Sequence, residues 1–121
     1  MSVPAEGFSA KIVGLDDDPV IFLTGELDMA TAPELARVLG PLIEHGPEEV
    51  VLDLSGLSFI DSSGIAALVD SQQRLSTQKR RLSVHGAQQG TARVFEIAGL
   101  VDFLRVQAGP VEDPASSRAP D

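Results

Sequence analysis

Short apolar runs separated by a polar turn open this chain and predict a pair of strands. Residues 8–13 alternate roughly between apolar and polar side chains, and residues 20–23 form a continuous apolar run; both patterns are typical of strands. The intervening residues 14–19 are rich in Gly, Asp and Pro, which favour turns. We therefore predict that the two strands pair in the antiparallel direction.

A helical period begins at about residue 31. Thr31 and Glu34 have the spacing of a capping box, in which Thr31 is the N-cap. Gly40–Pro41 lies inside the pattern without breaking its register, so we predict a kink at Pro41 and not an end. Gly46–Pro47 ends the helix. The apolar residues that recur on one face of this helix are Leu35, Val38, Leu39, Leu42 and Ile43.

A continuous apolar run at residues 50–54 predicts a buried central strand. Residues 55–60 lead away from it, and three of them are expected to fill the core: Leu57, Phe59 and Ile60. A helical period starts after the next polar turn, so we predict a second helix from Ser63 or Gly64 to about Ser76. Its buried stripe is expected to contain Ile65, Leu68, Val69, Gln72 and Leu75.

Two further strands and a short helix complete the pattern. Residues 82–84 alternate as a strand that His85 closes, and residues 103–106 are predicted to form an edge strand. Thr91 is placed to cap a third helix, which ends at Gly99 in a Schellman turn. The inward side of this helix is expected to contain Val94, Phe95, Ile97 and Ala98.

The order of these elements predicts an α/β domain. A mixed, mostly parallel sheet of four to five strands with about three main helices accounts for the alternation of strands and helices. We assign the domain to residues 8–107, between a flexible N-terminus at residues 1–7 and a disordered acidic tail at residues 108–121. The tail consists largely of Gly, Pro, Ala, Ser and acidic residues, which bury too little apolar surface to fold.

The composition narrows the kinds of partner and chemistry. The 121 residues include 43% apolar side chains but no Trp, Tyr or Cys, so we expect an aliphatic core and no disulfide or thiol chemistry. The formal net charge of −9 argues against binding to nucleic acid or anionic lipid. Residues 1–7 lack a secretory pattern, and no apolar run approaches the roughly 18 residues that span a bilayer. We therefore expect a cytoplasmic protein without membrane insertion.

Ser62 is the candidate functional residue. It lies where a buried strand passes through a short polar turn into a helix, and helix N-termini offer unpaired N–H groups and partial positive charge. Such a position suits a functional hydroxyl or an anion, so we interpret Ser62 as a switch. Asp28 is expected at the same edge, because both residues follow strands. Ala66 and Ala67 would leave a low-relief patch beside Ser62 that a partner could approach.

Other kinds of chemistry have weaker support. Catalysis by Ser62 requires a neighbouring base, and the only histidines, His45 and His85, belong to other elements. No phosphate-binding or dinucleotide-binding glycine motif occurs, and the histidines lack metal-ligand spacing, so we expect no enzyme, cofactor or metal site. A receiver-type phosphoacceptor is less favoured, since Asp53 lies within the central strand and not beyond its end. A purely structural interpretation stays open, in which Ser63 is an N-cap and Ser62 a turn residue.

Three sequence blocks, in order, carry a resemblance to a known family. They are LTGELD at residues 23–28, DLSGLSFIDSSG at residues 53–64 and FEIAGL at residues 95–100. Together they resemble the STAS-domain family, and most of all its bacterial anti-sigma factor antagonists. The resemblance covers roughly residues 8–107.

The resemblance implies regulation by partner switching. In such proteins the unphosphorylated antagonist binds an anti-sigma factor, which is also a serine kinase of the GHKL ATPase type, and so frees a sigma factor. Phosphorylation disrupts the complex, and a serine phosphatase restores the first state. By position, Ser62 is the phosphorylated residue, and a STAS domain used only as a scaffold or subunit, for example in lipid transport, is the alternative. The residues expected to face the partner are Asp28, Asp61, Ser62, Ser63, Gly64, Ala66 and Ala67.

Overall fold

Five strands and three helices build the part of the chain that the computed structural model describes, which is residues 7–14, 18–109 and 111. Residues 1–6 of the predicted N-terminal segment and most of the predicted tail lie outside these residues, so the limits of the domain stay a prediction. The elements are β1 (Phe8–Val13), β2 (Val20–Leu27), α1 (Ala32–His45), β3 (Glu49–Ile60), α2 (Ser62–Ser76), β4 (Arg81–His85), α3 (Gln89–Ile97) and β5 (Val106–Gln107).

The strands form one sheet in the order β1-β2-β3-β4-β5. β1 is antiparallel to β2, and the other neighbouring pairs are parallel. This arrangement confirms the predicted mixed, mostly parallel sheet. Two of its parallel strands, β2 and β3, end together, because Leu27 is paired with Ile60.

An aliphatic core holds the sheet and the helices together, as the composition predicted. Leucine, isoleucine and valine side chains supply most of it, and Phe95 of α3 is its largest fully buried side chain. α1 and α2 pack against each other, and α3 packs against β3. The fully buried leucines and isoleucines include Ile21, Leu23, Leu27, Leu35, Leu39, Leu52, Leu54, Leu57, Leu68, Leu75 and Leu82.

β3 is longer than predicted. The sequence indicated a strand over residues 50–54, but residues 56–60 continue to pair with the end of β2. The β2–β3 register shifts twice there, and these shifts interrupt the regular alternation of buried and exposed side chains. Leu57 and Ile60 are buried as predicted, whereas Phe59 is 47% exposed, so its expected place in the core was wrong.

α1 runs through Pro41 and ends before Gly46, so Pro41 does not end the helix. Thr31 is the N-cap of α1 as predicted, but the capping box is wrong, because the Thr31 side chain makes no capping hydrogen bond to α1. Glu34 pairs instead with Arg37 on the exposed face. The hydrogen bond from Arg37 lowers the pKa of the Glu34 carboxyl and raises the pKa of the guanidinium.

α3 begins two residues before Thr91, so the N-cap is Gln88 and not Thr91. Ile97 and Ala98 are exposed, which corrects their predicted inward position. The helix ends in the predicted Schellman turn: Gly99 has a φ of +71°, and the Leu100 N–H donates to the Phe95 carbonyl at 2.9 Å. The last strand, β5, is only two residues long and starts later than predicted.

Candidate functional site

The carboxyl ends of β2 and β3 bring Asp28 and Asp61 to the same edge of the sheet. The Asp61 N–H donates to the Leu27 carbonyl at 3.1 Å, directly beyond the pairing of Leu27 with Ile60. Asp28 follows β2 and Ser62 begins α2 after β3, so the predicted placement of both residues beside strand ends is confirmed. We call this region, residues 24–31 and 56–66, the switch edge.

Asp61 is the N-cap of α2. Its Oδ1 accepts the backbone N–H groups of Ser63 at 2.9 Å and Gly64 at 3.1 Å. These are two of the donors that a helix start leaves without intrahelical partners. The helix therefore begins at Ser62, slightly earlier than predicted, and the alternative in which Ser63 is the N-cap is wrong.

Ser62 occupies the first helical position with its side chain exposed. Among the described residues, its hydroxyl has no hydrogen-bond partner, while Ser63 beside it is half-buried. Ser62 is therefore the more accessible acceptor of the two. An added anion at this position would lie at the positive end of the α2 dipole, so it can be accommodated without unfolding the helix.

Gly64 lets α2 approach the two strand ends closely. A Cβ at this position would lie 2.7 Å from Ile60 Cγ1, 2.8 Å from Leu27 Cγ and 2.9 Å from the Leu27 carbonyl oxygen. Any side chain larger than hydrogen would therefore push the helix away from β2 and β3. Because Gly64 is buried, its part in the switch edge is to position Ser62.

Asp28 builds the turn between β2 and α1. Its Oδ1 accepts the N–H groups of Ala30 at 2.9 Å and Thr31 at 3.1 Å. The buried Thr31 hydroxyl accepts from the Asp28 N–H at 2.9 Å and donates to the Glu26 carbonyl at 2.8 Å. Asp28 is thus a turn-forming residue whose half-buried carboxylate lies at the switch edge.

Ala66 and Ala67 do not form one patch. Ala66 is exposed and lies one helical turn after Ser62, on the same face of α2. Ala67 packs against the core and lines a small cavity of about 60 Å³ between α1 and α2, together with Leu39 and Ser71. The low-relief surface beside Ser62 therefore consists of Ala66 without Ala67.

Met29 and Phe59 are exposed apolar residues of the switch edge that the sequence did not single out. Met29 is 77% exposed and Phe59 is 47% exposed. The hydrophobic pattern placed Phe59 in the core, and Met29 belongs to no periodic segment. The available signal was that Met29 stands alone among polar and small residues between β2 and α1.

The described residues offer Ser62 no catalytic partner. His45 is the last residue of α1, and His85 of β4 contacts the Ser83 hydroxyl through Nε2 at 3.1 Å. No cluster of three or more His, Asp or Glu side chains that could hold a metal ion occurs within residues 7–14, 18–109 and 111. The switch edge therefore presents an exposed hydroxyl together with carboxylates and apolar groups.

Asp53 is unsuited to accept a phosphoryl group, because it is only 1% exposed. Its Oδ1 accepts the Ser55 N–H at 2.9 Å and the Ser55 hydroxyl at 2.5 Å, and its Oδ2 accepts the Val111 N–H at 2.8 Å. This carboxylate stabilises the middle of the sheet and holds residue 111 against it.

A family model described as "Mlab, STAS domain" matches residues 12–106 of the chain. The chain belongs to the STAS-domain family. The anti-sigma-B factor antagonist of Staphylococcus epidermidis is similar to this STAS protein, with 34% identity over 94 residues that cover 78% of this chain and 87% of the relative.

Solved structures of anti-sigma factor antagonists share the fold. An anti-sigma factor antagonist from Mycobacterium paratuberculosis superposes with a TM-score of 0.75 and 26% identity, and the match covers both chains completely. SpoIIAA in its unphosphorylated form has a TM-score of 0.71 and 23% identity, covering 92% of this chain and 94% of that one. No helix in the described residues of this STAS protein is long and apolar enough to cross a bilayer.

Proposed function

We propose that this STAS protein is an anti-sigma factor antagonist and that phosphorylation of Ser62 switches its binding. The observation that carries the proposal is the exposed Ser62 hydroxyl at the start of α2, next to strand ends that carry Asp28 and Asp61. The names of the relatives at about 34% identity support the same function. The partner is an anti-sigma factor that binds the switch edge while Ser62 is unphosphorylated.

Electrostatics explains how one phosphate can switch off this binding. A phosphoserine adds about −1.5 to −2 charges and three acceptor oxygens. It would join Glu26, Asp28 and Asp61 on a chain whose formal net charge is already −9. A partner surface that fits a neutral hydroxyl then meets an unpaired dianion, and mismatched buried polar contacts cost about 2–5 kcal/mol. Since about 1.4 kcal/mol corresponds to tenfold in affinity, binding falls about 30-fold or more.

The fold itself is expected to tolerate the phosphate. Asp61 already satisfies two N–H groups of α2, and the remaining positive end of the helix favours an anion at Ser62. The switch therefore acts on the partner and not on the folded state. We further propose that the anti-sigma factor is the serine kinase, of the GHKL type, and that a serine phosphatase reverses the reaction.

The test combines phosphate incorporation with binding. Purified full chain is incubated with candidate GHKL kinases and ATP, intact mass is measured, and the modified peptide is mapped; we expect one phosphate, on Ser62. Ser62→Ala should remove the phosphate and retain binding, whereas Ser62→Asp should weaken binding by about 30-fold or more. Ser63→Ala should be phosphorylated like the wild-type chain.

Ser76→Asp is the matched control for charge. It adds the same side chain at the other end of α2, roughly 21 Å from Ser62 at about 1.5 Å per residue. Binding should be nearly unchanged, whereas thermal unfolding should occur slightly earlier for Ser76→Asp than for Ser62→Asp, because the helix dipole disfavours a negative charge at the C-terminal end. Undiminished phosphorylation of Ser62→Ala would move the site to another residue, with Ser63 as the first candidate. Wild-type affinity of Ser62→Asp would contradict the switch and favour a STAS domain that acts only as a scaffold.

A further inference from the structure

Two apolar side chains are exposed at the ends of the paired strands β2 and β3. Met29 lies two residues after β2, and Phe59 lies one residue before the end of β3. Single exposed apolar residues are common on protein surfaces and need no explanation. These two are unusual because the pairing of Leu27 with Ile60 brings both chain segments to the edge that carries Ser62.

The immediate surroundings of Phe59 are acidic. Its partner in the β2–β3 register is Glu26, which is also exposed. Residues paired across neighbouring strands direct their side chains to the same face of a sheet, so the ring and the carboxylate are neighbours. Met29 likewise follows Asp28 directly in the chain.

The switch edge contains no basic residue. Residues 24–31 and 56–66 include three carboxylates, Glu26, Asp28 and Asp61, but no Lys or Arg. A complementary partner surface therefore carries basic side chains around an apolar centre. This charge pattern excludes a second copy of the same edge as the preferred occupant, because the two edges would repel each other.

We infer that Met29 and Phe59 are the apolar anchors by which this protein docks on its anti-sigma factor. The inference rests on the proposed function and extends it, by naming the residues that provide affinity. The matching surface of the anti-sigma factor has an apolar pocket or groove for these side chains and a basic rim that faces the carboxylates. Exposed aromatic and methionine side chains are enriched in such interface centres, where a few residues dominate binding.

This arrangement divides two tasks between neighbouring residues. Met29 and Phe59 exclude water from the centre of the interface, and Ser62 lies three residues after Phe59, across the turn from β3 to α2. Excluding water lowers the local dielectric constant, which increases the cost of placing a charged phosphate there. The apolar anchors therefore make the complex more sensitive to phosphorylation of Ser62.

The chain offers matched controls for a binding experiment. Ile97 is 76% exposed, which matches the exposed fraction of Met29, and Phe103 is 38% exposed, which is similar to the exposed fraction of Phe59. Ile97 and Phe103 both lie outside the switch edge. Met29→Ser, Phe59→Ser, Ile97→Ser and Phe103→Ser are each titrated into the purified GHKL anti-sigma factor that phosphorylates Ser62, and Kd is measured by calorimetry. We expect Kd to rise about tenfold or more for the two anchor variants and less than about threefold for the two controls.

The outcomes separate this inference from the proposed function. If the anchor variants bind as well as the controls while Ser62→Asp loses binding, the inference about the anchors is contradicted and the proposed phosphorylation switch is supported. If Ser62→Asp binds like the wild-type chain, the proposed function is contradicted, and the inference about the anchors is contradicted with it. Circular dichroism checks folding of each variant; should Phe59→Ser unfold, Met29→Ser, which changes a loop residue, decides the inference alone.

Discussion

Each residue of the Asp-Ser-Ser-Gly turn has a separate physical task. The Asp61 carboxylate accepts the N–H groups of Ser63 and Gly64, which fixes the first turn of α2. Gly64 allows this turn to pack on Leu27 and Ile60. With the residues on either side fixed, Ser62 is held exposed at the first helical position. The serine is accessible because its neighbours are constrained.

Replacing Gly64 tests the packing part of this description. Gly64→Ala is expected to lower the free energy of unfolding by about 1–3 kcal/mol, since the added methyl group overlaps Leu27 and Ile60. Urea denaturation measures the change. Gly90→Ala is the matched control in the first turn of α3, where a Cβ meets nothing within 4 Å.

Gly90→Ala should instead stabilise the fold by up to about 1 kcal/mol, because alanine loses less backbone entropy in a helix. Equal effects of the two substitutions would show that the close approach at Gly64 does not constrain α2. A folded Gly64→Ala variant with poor phosphorylation would indicate that the position of Ser62 has shifted.

At the scale of secondary-structure elements, the start of α2 depends on its cap. Asp61→Ala removes the acceptor of two hydrogen bonds and is expected to lower the free energy of unfolding by about 1 kcal/mol. Asp61→Asn should have nearly the same free energy of unfolding as the wild-type chain, because asparagine is an equally good N-cap. Chemical denaturation of the three proteins at one pH gives the comparison; an unfolding midpoint of Asp61→Ala equal to that of the wild-type chain would contradict the capping role.

The long, strongly periodic elements could be predicted from the sequence, and the errors in predicting the other elements have local causes. α1 and α2 each present a clear apolar stripe, so their existence and approximate limits were correct. The second half of β3 was missed because Ser55, Gly56 and Ser58 interrupt its apolar run. Its pairing with β2 is a tertiary effect, and it includes register shifts that no local pattern encodes.

The candidate site was predictable in part. The strand–turn–helix pattern located Ser62 and Asp28, and the resemblance added Asp61 and its neighbours. Phe59 was misplaced because a hydrophobic pattern assigns every apolar strand residue to the core. Ile97 was misplaced for the same reason, since the exposed side of a short helix cannot be distinguished by periodicity alone.

At the scale of the whole molecule, one buried carboxylate joins the middle of the sheet to the end of the described chain. Asp53 of β3 accepts from Ser55 and from the backbone N–H of Val111, four residues after the end of β5. Val111 falls within the segment that was predicted to be a disordered tail. This contact makes the stability of the central strand depend on residues beyond the last strand.

Shortening the chain tests this dependence. A chain that ends at Gln107 leaves the Asp53 carboxylate without the Val111 donor and should be less stable by about 1–3 kcal/mol. A chain that ends at Asp113 keeps Val111 and should unfold like the full-length protein. The midpoints of urea unfolding provide the measurement, and identical midpoints for both shortened chains would mean that the Val111 contact adds no stability.

One edge of the sheet carries Ser62, Asp28, Met29 and Phe59 together. This arrangement affects the order in which binding and dephosphorylation occur. The edge is formed by only two strand ends and one helix start, so we expect two proteins that both contact Ser62 to compete for it. Under the proposed function, a bound anti-sigma factor therefore shields the serine from other enzymes. Because the proposed phosphorylation releases the antagonist, we expect the phosphate to be removed from the free antagonist, and the rate of this removal then sets when the antagonist can bind again.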